Sequence, residues 1–586
     1  MAPARGEAGM TLRVLIIGGY GTFGGRIVAL LEDDPRLTLI IAGRDPGRAS
    51  EFCNARVAAK ATVQPAGFDR AGDLATRLDQ LKPAVVIDAS GPFQDYGSDP
   101  YRVVEACLAL GISYLDLADG AGFVAGISQF DAEARAKGVF VLAGVSSFPV
   151  LTAAVVRHLS GGMMRVDSIR GGIAPSPDAG VGPNVIRAIA GYAGQRTVVR
   201  RGGTTATGFP LIEAMRCTIA PPGQVPLRNT LFSLVDVPDL QVLPQLWPQV
   251  REVWIGAGPR PEILHRALMA CAWLVRWRLL ASLLPLAPVM ALATRHLRWG
   301  EDRGGMFVQV TGVAAGGARC ARSWHMIADG DAGPLIPSMA VEALVRRLLA
   351  GGRIAPGARN GAGDLELADY EAMFEGRCIR TGIHDDGEAH RKPLYARLLG
   401  PALAALPNAI RELHAVTESS TAQGRAKVER GRSLAARLVA GVIGFPLAAS
   451  DVPVSVRFEV KGGVETWTRT FGARTFVSRQ WAGRGRSDRL LCESFGPLSF
   501  AMALVVADGR LALVLRNWSL LGLPLPRWLG PRSLAYETVA AGKFRFHVEI
   551  SHPLAGLIVL YSGWLIPDRA EAGGVHREST LTPDLM

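Results

Sequence analysis

Residues Leu12–Arg26 read LRVLIIGGYGTFGGR, and their order decides the fold of the first third of the chain. Leu12–Gly18 is a short apolar run rich in β-branched side chains, the composition of a strand buried on both faces. It runs directly into Gly19, Gly21 and Gly24, spaced G-x-G-x-x-G, and an amphipathic helical pattern follows from Thr22 to Leu31. Leu37–Ala42, LTLIIA, completes a strand-turn-helix-strand unit. In that context the first glycine permits a tight turn, the second lets backbone approach a pyrophosphate, and the third lets helix pack on strand. The helix N-terminus adds unpaired N–H groups and a partial positive charge. Gly18, Gly19, Tyr20, Gly21, Thr22, Phe23 and Gly24 are therefore the expected phosphate-binding turn of a dinucleotide site.

The second strand ends in Gly43-Arg44-Asp45. Sites for NAD set a carboxylate here against the ribose 2′-hydroxyl, whereas a guanidinium fork suits a 2′-phosphate. Arg44, assisted by Arg48, predicts NADP in preference to NAD. The alternative is a surface Arg44 with Asp45 at the ribose. Phe68-Asp69 falls where a third strand ends, which puts Asp69 near the adenine. Ala84–Ala89 is a fourth buried strand, and Ser90-Gly91-Pro92-Phe93 is a sharp loop beside the expected nicotinamide position. Ser113–Leu117 and Val139–Ala143 continue the rhythm. Six buried strands alternating with helices specify a doubly wound α/β (Rossmann) domain over 11–150.

The segments VLIIGGYGTFGGR, IIAGR, VVIDASGPFQDYG and VVEACLALGISYLDLADG resemble the saccharopine dehydrogenase-like family. The matching pieces are Arg44, Gly91-Pro92-Phe93, Cys107 and Tyr114-Leu115-Asp116. The likeness is strong over residues 12–160 and looser to about 370. It implies a nicotinamide-dependent oxidoreductase that acts on a C–N or C–O bond, in a family that also has members with no established substrate. It further implies a proline-containing loop against the nicotinamide, with Ser146, Ser147 and Phe148 on the substrate side.

An α+β substrate and dimerisation domain is expected over 151–330, followed over 331–375 by a helix returning to the first domain. Hydride transfer needs a proton donor or acceptor. The candidates are Asp116, Asp119, His158 and His325, with no diagnostic spacing among them. Asp116 and Asp119 rank first as catalytic groups because they follow a strand at the ligand-facing edge, and His325 is a candidate on the substrate side. Leu279–Thr294, LLASLLPLAPVMALAT, carries no charge but is flanked by Arg276, Arg278, Arg295 and Arg298. It is short for a membrane span, and Pro285 and Pro288 would interrupt a helix. Peripheral contact with a membrane and burial, inside the domain or at a homodimer contact, both remain open.

Over 390–570 strand-like runs dominate: Gly424–Gly431, Val454–Val460, Glu465–Phe471, Thr475–Ala482, Arg489–Ser494, Leu511–Asn517, Ser533–Val539, Phe544–Ile550 and Leu557–Ser562. A curved antiparallel sheet or barrel around an apolar cavity is expected. The pieces GRAKVERG, ETWTRTF and PLAGLIVLYSGWL resemble a bacterial domain of unknown function found behind saccharopine dehydrogenase-like N-termini. Period-two alternation puts Arg469 on one face with Trp467 and Phe471. There it either binds an anionic head group or pairs with Glu493 or Glu537. A lipid-like ligand is compatible with these apolar stretches.

The whole chain has 586 residues, 49% apolar and 20% charged, which is a globular composition. Its net charge of +12 comes from scattered arginines. With no long Lys/Arg run, zinc-finger spacing or aromatic RNA-binding motif, nucleic acid is not expected as a partner. Seven cysteines without a CxxC pair argue against a disulfide framework and a metal site, and for a reducing cytoplasm. The combined expectation is a cytoplasmic NADP-dependent oxidoreductase for a small, hydrophobic carbonyl or imine, at most peripheral to the inner membrane face. The alternative is a non-catalytic NADP-binding protein whose C-terminal domain binds lipid at a membrane surface.

Overall fold

The computed structural model describes residues 11–180, 182–297, 299–387 and 392–568, so Arg298 lies outside the described residues. The chain forms two compact units. The first holds 226–387 and everything before residue 222, and the second holds 222–225 and everything from 388 on.

The first unit begins with β1 (Leu12–Ile17), β2 (Leu37–Gly43), β3 (Thr62–Gly67), β4 (Val85–Asp88), β5 (Ser113–Asp116) and β6 (Phe140–Ala143). Helices α1 (Thr22–Leu31), α2 (Pro46–Asn54), α3 (Leu74–Leu81), α4 (Arg102–Ala109), α5 (Ala121–Gly126) and α6 (Asp131–Ala136) connect them. All pair in parallel, in the order β15-β6-β5-β4-β1-β2-β3, with β15 (Gly357–Asn360) arriving from much later in the chain. β1, β2 and β4 are buried along nearly their whole length, which is why they read as continuous apolar runs. The order reverses between β1 and β4, and ligands of such sheets sit at that switch point beyond the strands' carboxyl ends.

A mixed second sheet follows α7 (Thr152–Ser160). It runs β10 (Ala214–Cys217), β11 (Thr230–Leu234), β12 (Glu252–Ala257), β7 (Met163–Ala174), β13 (Arg303–Ala314), β14 (Arg319–Asp329) and β16 (Ile379–Asp385). The hairpin β8 (Thr197–Arg201) and β9 (Thr204–Gly208) hangs from β12. Its helices are α8 (Pro183–Tyr192), α9 (Asp239–Leu246), α10 (Glu262–Arg276), α11 (Ala287–His296), α12 (Ala332–Leu349) and α13 (Leu367–Phe374). One continuous core runs from Val14 and Ile16 through Met339 and Leu344 of α12 to Trp324 of β14. α12 is clamped to α1: Arg346 donates to the Leu30 carbonyl at 2.8 Å and pairs with Asp33 at 2.9 Å.

The uncharged stretch 279–294 is split between core and surface. Leu283 and Ala287 are buried with Ile186 and Ala190 of α8, while Leu279, Val289 and Leu292 stay exposed beside Trp273 and Trp277. Among the described residues no helix is long and apolar enough to cross a membrane.

The second unit is a closed antiparallel barrel. Its strands are β17 (Ser419–Arg430), β18 (Ala449–Lys461), β19 (Val464–Phe471), β20 (Arg474–Ala482), β21 (Leu491–Phe495), β22 (Leu498–Ala507), β23 (Arg510–Leu520), β25 (Arg532–Ala540), β26 (Lys543–His552) and β27 (Gly556–Pro567). β24 (Leu523–Leu525) hairpins onto β23, the pairing of β22 with β23 closes one seam, and that of β17 with β27 joins the chain ends. Helices α14 (Leu394–Leu399) and α15 (Asn408–Leu413) precede β17, and α16 (Leu434–Ile443) joins β17 to β18. Phe458, Trp467, Phe471 and Phe476 face inward, whereas Lys427, Glu429, Arg457 and Glu459 are exposed outward. An apolar interior with a charged exterior is the reverse of a membrane-spanning barrel.

Candidate functional site: a dinucleotide cleft at the strand ends

The glycine turn has the geometry its spacing predicts. Gly18 takes φ +74°, a conformation a side chain would strain. A Cβ on Gly24 would stand 2.2 Å from the Gly18 carbonyl oxygen and 2.7 Å from the Gly19 Cα. The amides of Gly18 and Gly19 donate to the Ala42 carbonyl, and that of Gly21 to Gly18. The first helical amides, those of Thr22, Phe23 and Gly24, therefore remain for a ligand, because helix geometry leaves them without acceptors and the N-cap Gly21 has no side chain to supply one. Gly21 and Thr22 are exposed. Phe23 packs its ring against the protein beneath the Arg26 guanidinium, so its contribution to a ligand is its backbone.

Tyr20 turns toward the end of β2. Its hydroxyl accepts from the Asp45 amide at 3.1 Å, and Arg48 lies over its ring at 5.2 Å. The Asp45 carboxylate caps α2, accepting from the Arg48 amide at 3.1 Å. Arg44 is exposed and, among the described residues, makes no hydrogen bond or ion pair. Asp69, also exposed, closes a turn by accepting from the Ala71 amide.

The loop after β4 is tightly held. Asp88 is wholly buried and accepts from the Ser90 amide at 2.9 Å and the Ser90 hydroxyl at 2.6 Å, with Arg70 at 3.7 Å and the Tyr96 hydroxyl at 3.3 Å. Asn184 of α8 donates to the Gly91 carbonyl at 2.7 Å. Arg26 donates to Ala179, so the segment before α8 reaches across α1. Phe93 is buried, with its ring against Tyr96 at 4.8 Å and Phe123 at 5.1 Å. It anchors the loop, while half-buried Gly91 and Pro92 form the wall.

The two carboxylates that rank together in the sequence separate in the structure. Asp116 is wholly buried; its Oδ1 accepts from the Gly144 amide at 2.8 Å and the Ala118 amide at 2.9 Å, stapling the end of β5 to the loop after β6. It therefore has no open face toward a substrate. Burial pushes its carboxyl up to about 7, against those two amides that pull it down. An unfolded chain loses this proton near pH 4. Between about pH 4 and pH 7 the folded form thus keeps a proton the unfolded form has released, so stability falls as pH rises through that window, by at most about 1.4 kcal/mol per pH unit. Asp116→Asn should flatten this slope in urea midpoints of the first unit measured from pH 4 to pH 8; an unchanged slope would assign it elsewhere.

Asp119 is half-buried beside Gln94, whose amide donates to it at 3.2 Å. Burial raises its carboxyl above the usual range, and the charge of Asp236 adds to the rise. Asp236, after β11, is raised by burial too and accepts from the Thr197 hydroxyl at 2.6 Å. Tyr192, at the end of α8, is pushed up by burial and by both carboxylates. Gln94, Asp119, Tyr192, Thr197 and Asp236 thus form one polar cluster at the carboxyl edge of the first sheet. Only Asp119 of these was legible in the sequence; the rest come from segments up to about 140 residues apart.

The other expected substrate residues are not in this cluster. Ser147 is buried and Phe148 half-buried in the turn before α7. His325 is wholly buried in β14; its Nδ1 accepts from the Ala220 amide and its Nε2 meets the Ser323 hydroxyl at 3.0 Å. It holds the second sheet together and does not face the cleft. Among the described residues no cluster of His, Cys, Asp or Glu has the makings of a metal site.

A parallel sheet with a switch point, a bare glycine turn and unpaired helix amides define a dinucleotide-binding domain of the doubly wound class. Residues 14–142 match the family model of the saccharopine dehydrogenase NADP binding domain, and residues 406–565 match that of a domain of unknown function, DUF4166. No curated protein matches the chain. Among solved structures, apo saccharopine dehydrogenase (L-Glu forming) from Saccharomyces cerevisiae is similar at 12% identity and TM-score 0.46, covering 64% of this chain and 99% of that one. Biliverdin reductase from Synechocystis sp. PCC 6803, in complex with biliverdin and NADP+, is similar at 13% identity and TM-score 0.28, covering 61% and 94%.

Proposed function

We propose that the chain is an NADP-dependent oxidoreductase for a hydrophobic carbonyl or imine compound. The observation that carries the reading is the end of β2, where Arg44 is exposed and has no partner among the described residues, while Asp45 is spent on capping α2. The family model matched by residues 14–142, that of an NADP-binding domain, supports it. A dinucleotide fits these residues: the amides of Thr22, Phe23 and Gly24 take its diphosphate and Arg44 its 2′-phosphate. NADP(H), when bound, accepts or supplies a hydride. The Gly91-Pro92 wall and the polar cluster are the residues that would hold the nicotinamide end. Asp119, kept protonated to higher pH by burial, gives a proton to or takes one from the substrate oxygen or nitrogen, with the charge of Asp236 adding to its hold on that proton.

Asp119→Asn should lower turnover by about 10²–10⁴-fold with the affinity for NADPH unchanged, assayed with wild-type protein against a panel of carbonyl and imine compounds. Wild-type turnover in the variant would remove Asp119 from the chemistry. One observation favours a second reading, a non-catalytic NADP-binding protein at a membrane surface. Trp273, Trp277, Leu279 and Val289 are exposed beside Arg276, Arg278 and Arg295, a composition suited to a bilayer interface. NADPH binding without turnover of any compound in the panel would favour it.

A further inference from the structure

The barrel of the second unit encloses a cavity of about 450 Å³, within the range of small-molecule sites. Every second residue of β26 from Phe544 to His552 lines it, so at ~3.3 Å per residue it follows that strand for roughly 26 Å. Val456, Met502, Leu513 and Leu515 make its wall apolar.

Its charged groups gather toward one end, while Ser533 and His552 line it toward the other. Gln480 stands opposite Glu465 on one side and Glu493 on the other. Arg469 donates to Glu493 at 3.0 Å and to the Ser478 hydroxyl at 2.6 Å, which settles its role as a paired guanidinium and not a free anion receptor. The Tyr395 hydroxyl donates to Gln480 at 3.1 Å. His414, stacked on Tyr395 at 3.7 Å, meets Glu537 at 2.7 Å. Tyr395 and His414 arrive on and just after α14 and α15, which close this end with wholly buried Leu399 and Ile410. The result is a floor that is polar but already charge-paired, with Glu493 and Glu537 lining it and Glu465 behind Gln480 accepting from the Trp467 indole.

The opposite end is built from five connections: 431–448 with α16, 472–473, 496–497, 521–531 and 553–555. Ala435, Val439, Leu529 and Leu554 of these connections line the cavity, and Leu554 is 88% exposed, so the cavity opens here. Ser433, the N-cap of α16, donates its hydroxyl to Ala555 at 2.6 Å and ties the helix across this mouth. The outer face of the mouth is apolar: Leu434, Leu438, Val442, Leu521, Leu523 and Trp528 are all exposed. None of the five connections contains Asp or Glu, while Arg432, Arg437 and Arg527, with Arg474 and Arg532 at adjoining strand starts, are exposed around it. An apolar tip ringed by arginine and free of carboxylate is complementary to an anionic bilayer surface.

We propose that the barrel binds one long-chain lipid bearing a neutral oxygenated end group, an alcohol, aldehyde or ketone, drawn end group first from an anionic bilayer through the α16 mouth. A lipid's end group lies at the bilayer surface, nearest the mouth, so it enters ahead of its chain and reaches the floor. There Tyr395, Gln480 and Arg469 offer hydrogen bonds, while the carboxylates and the paired state of Arg469 disfavour an anion. The chain then occupies the apolar wall. The proposal does not rest on the nucleotide reading and stands or falls separately.

The test uses the purified full chain with a pyrene-tagged decanol and the matching pyrene-tagged decanoic acid. One equivalent of the alcohol should bind, about tenfold or more tighter than the acid. Leu513→Trp, which fills the cavity, should weaken the alcohol about tenfold or more. Its circular dichroism and urea unfolding report whether the barrel is folded, and Leu515→Phe is the smaller filling variant if it is not. Leu438→Asp with Val442→Asp should slow uptake of the alcohol from phosphatidylglycerol vesicles about tenfold while leaving affinity for the dispersed alcohol unchanged. No saturable binding, acid bound as tightly as alcohol, or unchanged affinity in a folded filled variant would overturn the site. Unchanged uptake in the rim variant would overturn the membrane as source.

Discussion

Gly24→Ala should abolish dinucleotide binding, lowering NADPH affinity on the order of 100-fold or more, and should destabilise the first unit by about 1–3 kcal/mol. The cause is local and steric. The new methyl would sit 2.2 Å from the Gly18 carbonyl oxygen, and both atoms it meets belong to backbone, which cannot swing aside as a side chain can. Relief requires α1 to move off β1, and that carries the amides of Thr22, Phe23 and Gly24 away from the diphosphate. Gly25→Ala is the matched control, since a Cβ there meets the Phe52 ring at 3.5 Å and the Gly19 carbonyl oxygen at 3.9 Å, both ordinary contacts. Fluorescence titration with NADPH and urea unfolding of both variants check the pair. Equal behaviour of the two would mean that the turn does not bear on the ligand.

Arg44→Asp should cost NADP(H) about 1.5–3 kcal/mol, the worth of a charge-assisted contact, and should leave NAD(H) bound as well as or better than in the wild type. The side chain is exposed, so the variant has no packing reason to unfold. Asp45 cannot take over the ribose, because its carboxylate holds the first turn of α2. Calorimetric titration with both cofactors reads the switch directly. Retention of full NADP(H) affinity would show that another cation meets the 2′-phosphate.

The buried strands of the first sheet were legible because burial on both faces writes a continuous apolar run, as in VLII of β1 and LTLIIAG of β2. β15 was not, since its four residues, GARN, pair with β6 at the sheet edge and carry no such run. In the barrel, β22 and the three-residue β24 went unread. LSFAMALVVA has no polar alternation, and its identity as a strand depends on pairing with β21 and β23. Without it the strand set leaves an open curved sheet as an alternative; with it the ring closes.

The division of the acidic residues is of the same kind. Asp116 and Asp119 stand three apart at the end of one strand, and the return of the chain at Gly144, added to the local Ala118 amide, spends the first on backbone amides. Asp236 and Tyr192 join Asp119 through contacts across distant segments that no local pattern encodes.

What residue order alone determined is therefore the phosphate turn, the arginine at the end of β2 and the alternating character of the two halves, because each is set by steric or periodic rules acting within a few neighbouring positions. What folding in three dimensions decided is which carboxylate is taken up by backbone amides, that Arg469 is neutralised by Glu493, and that the barrel is shut at one end and open at the other. Those outcomes depend on groups that meet only after long loops have closed, and the free energy of such meetings resides in the pair and not in either residue.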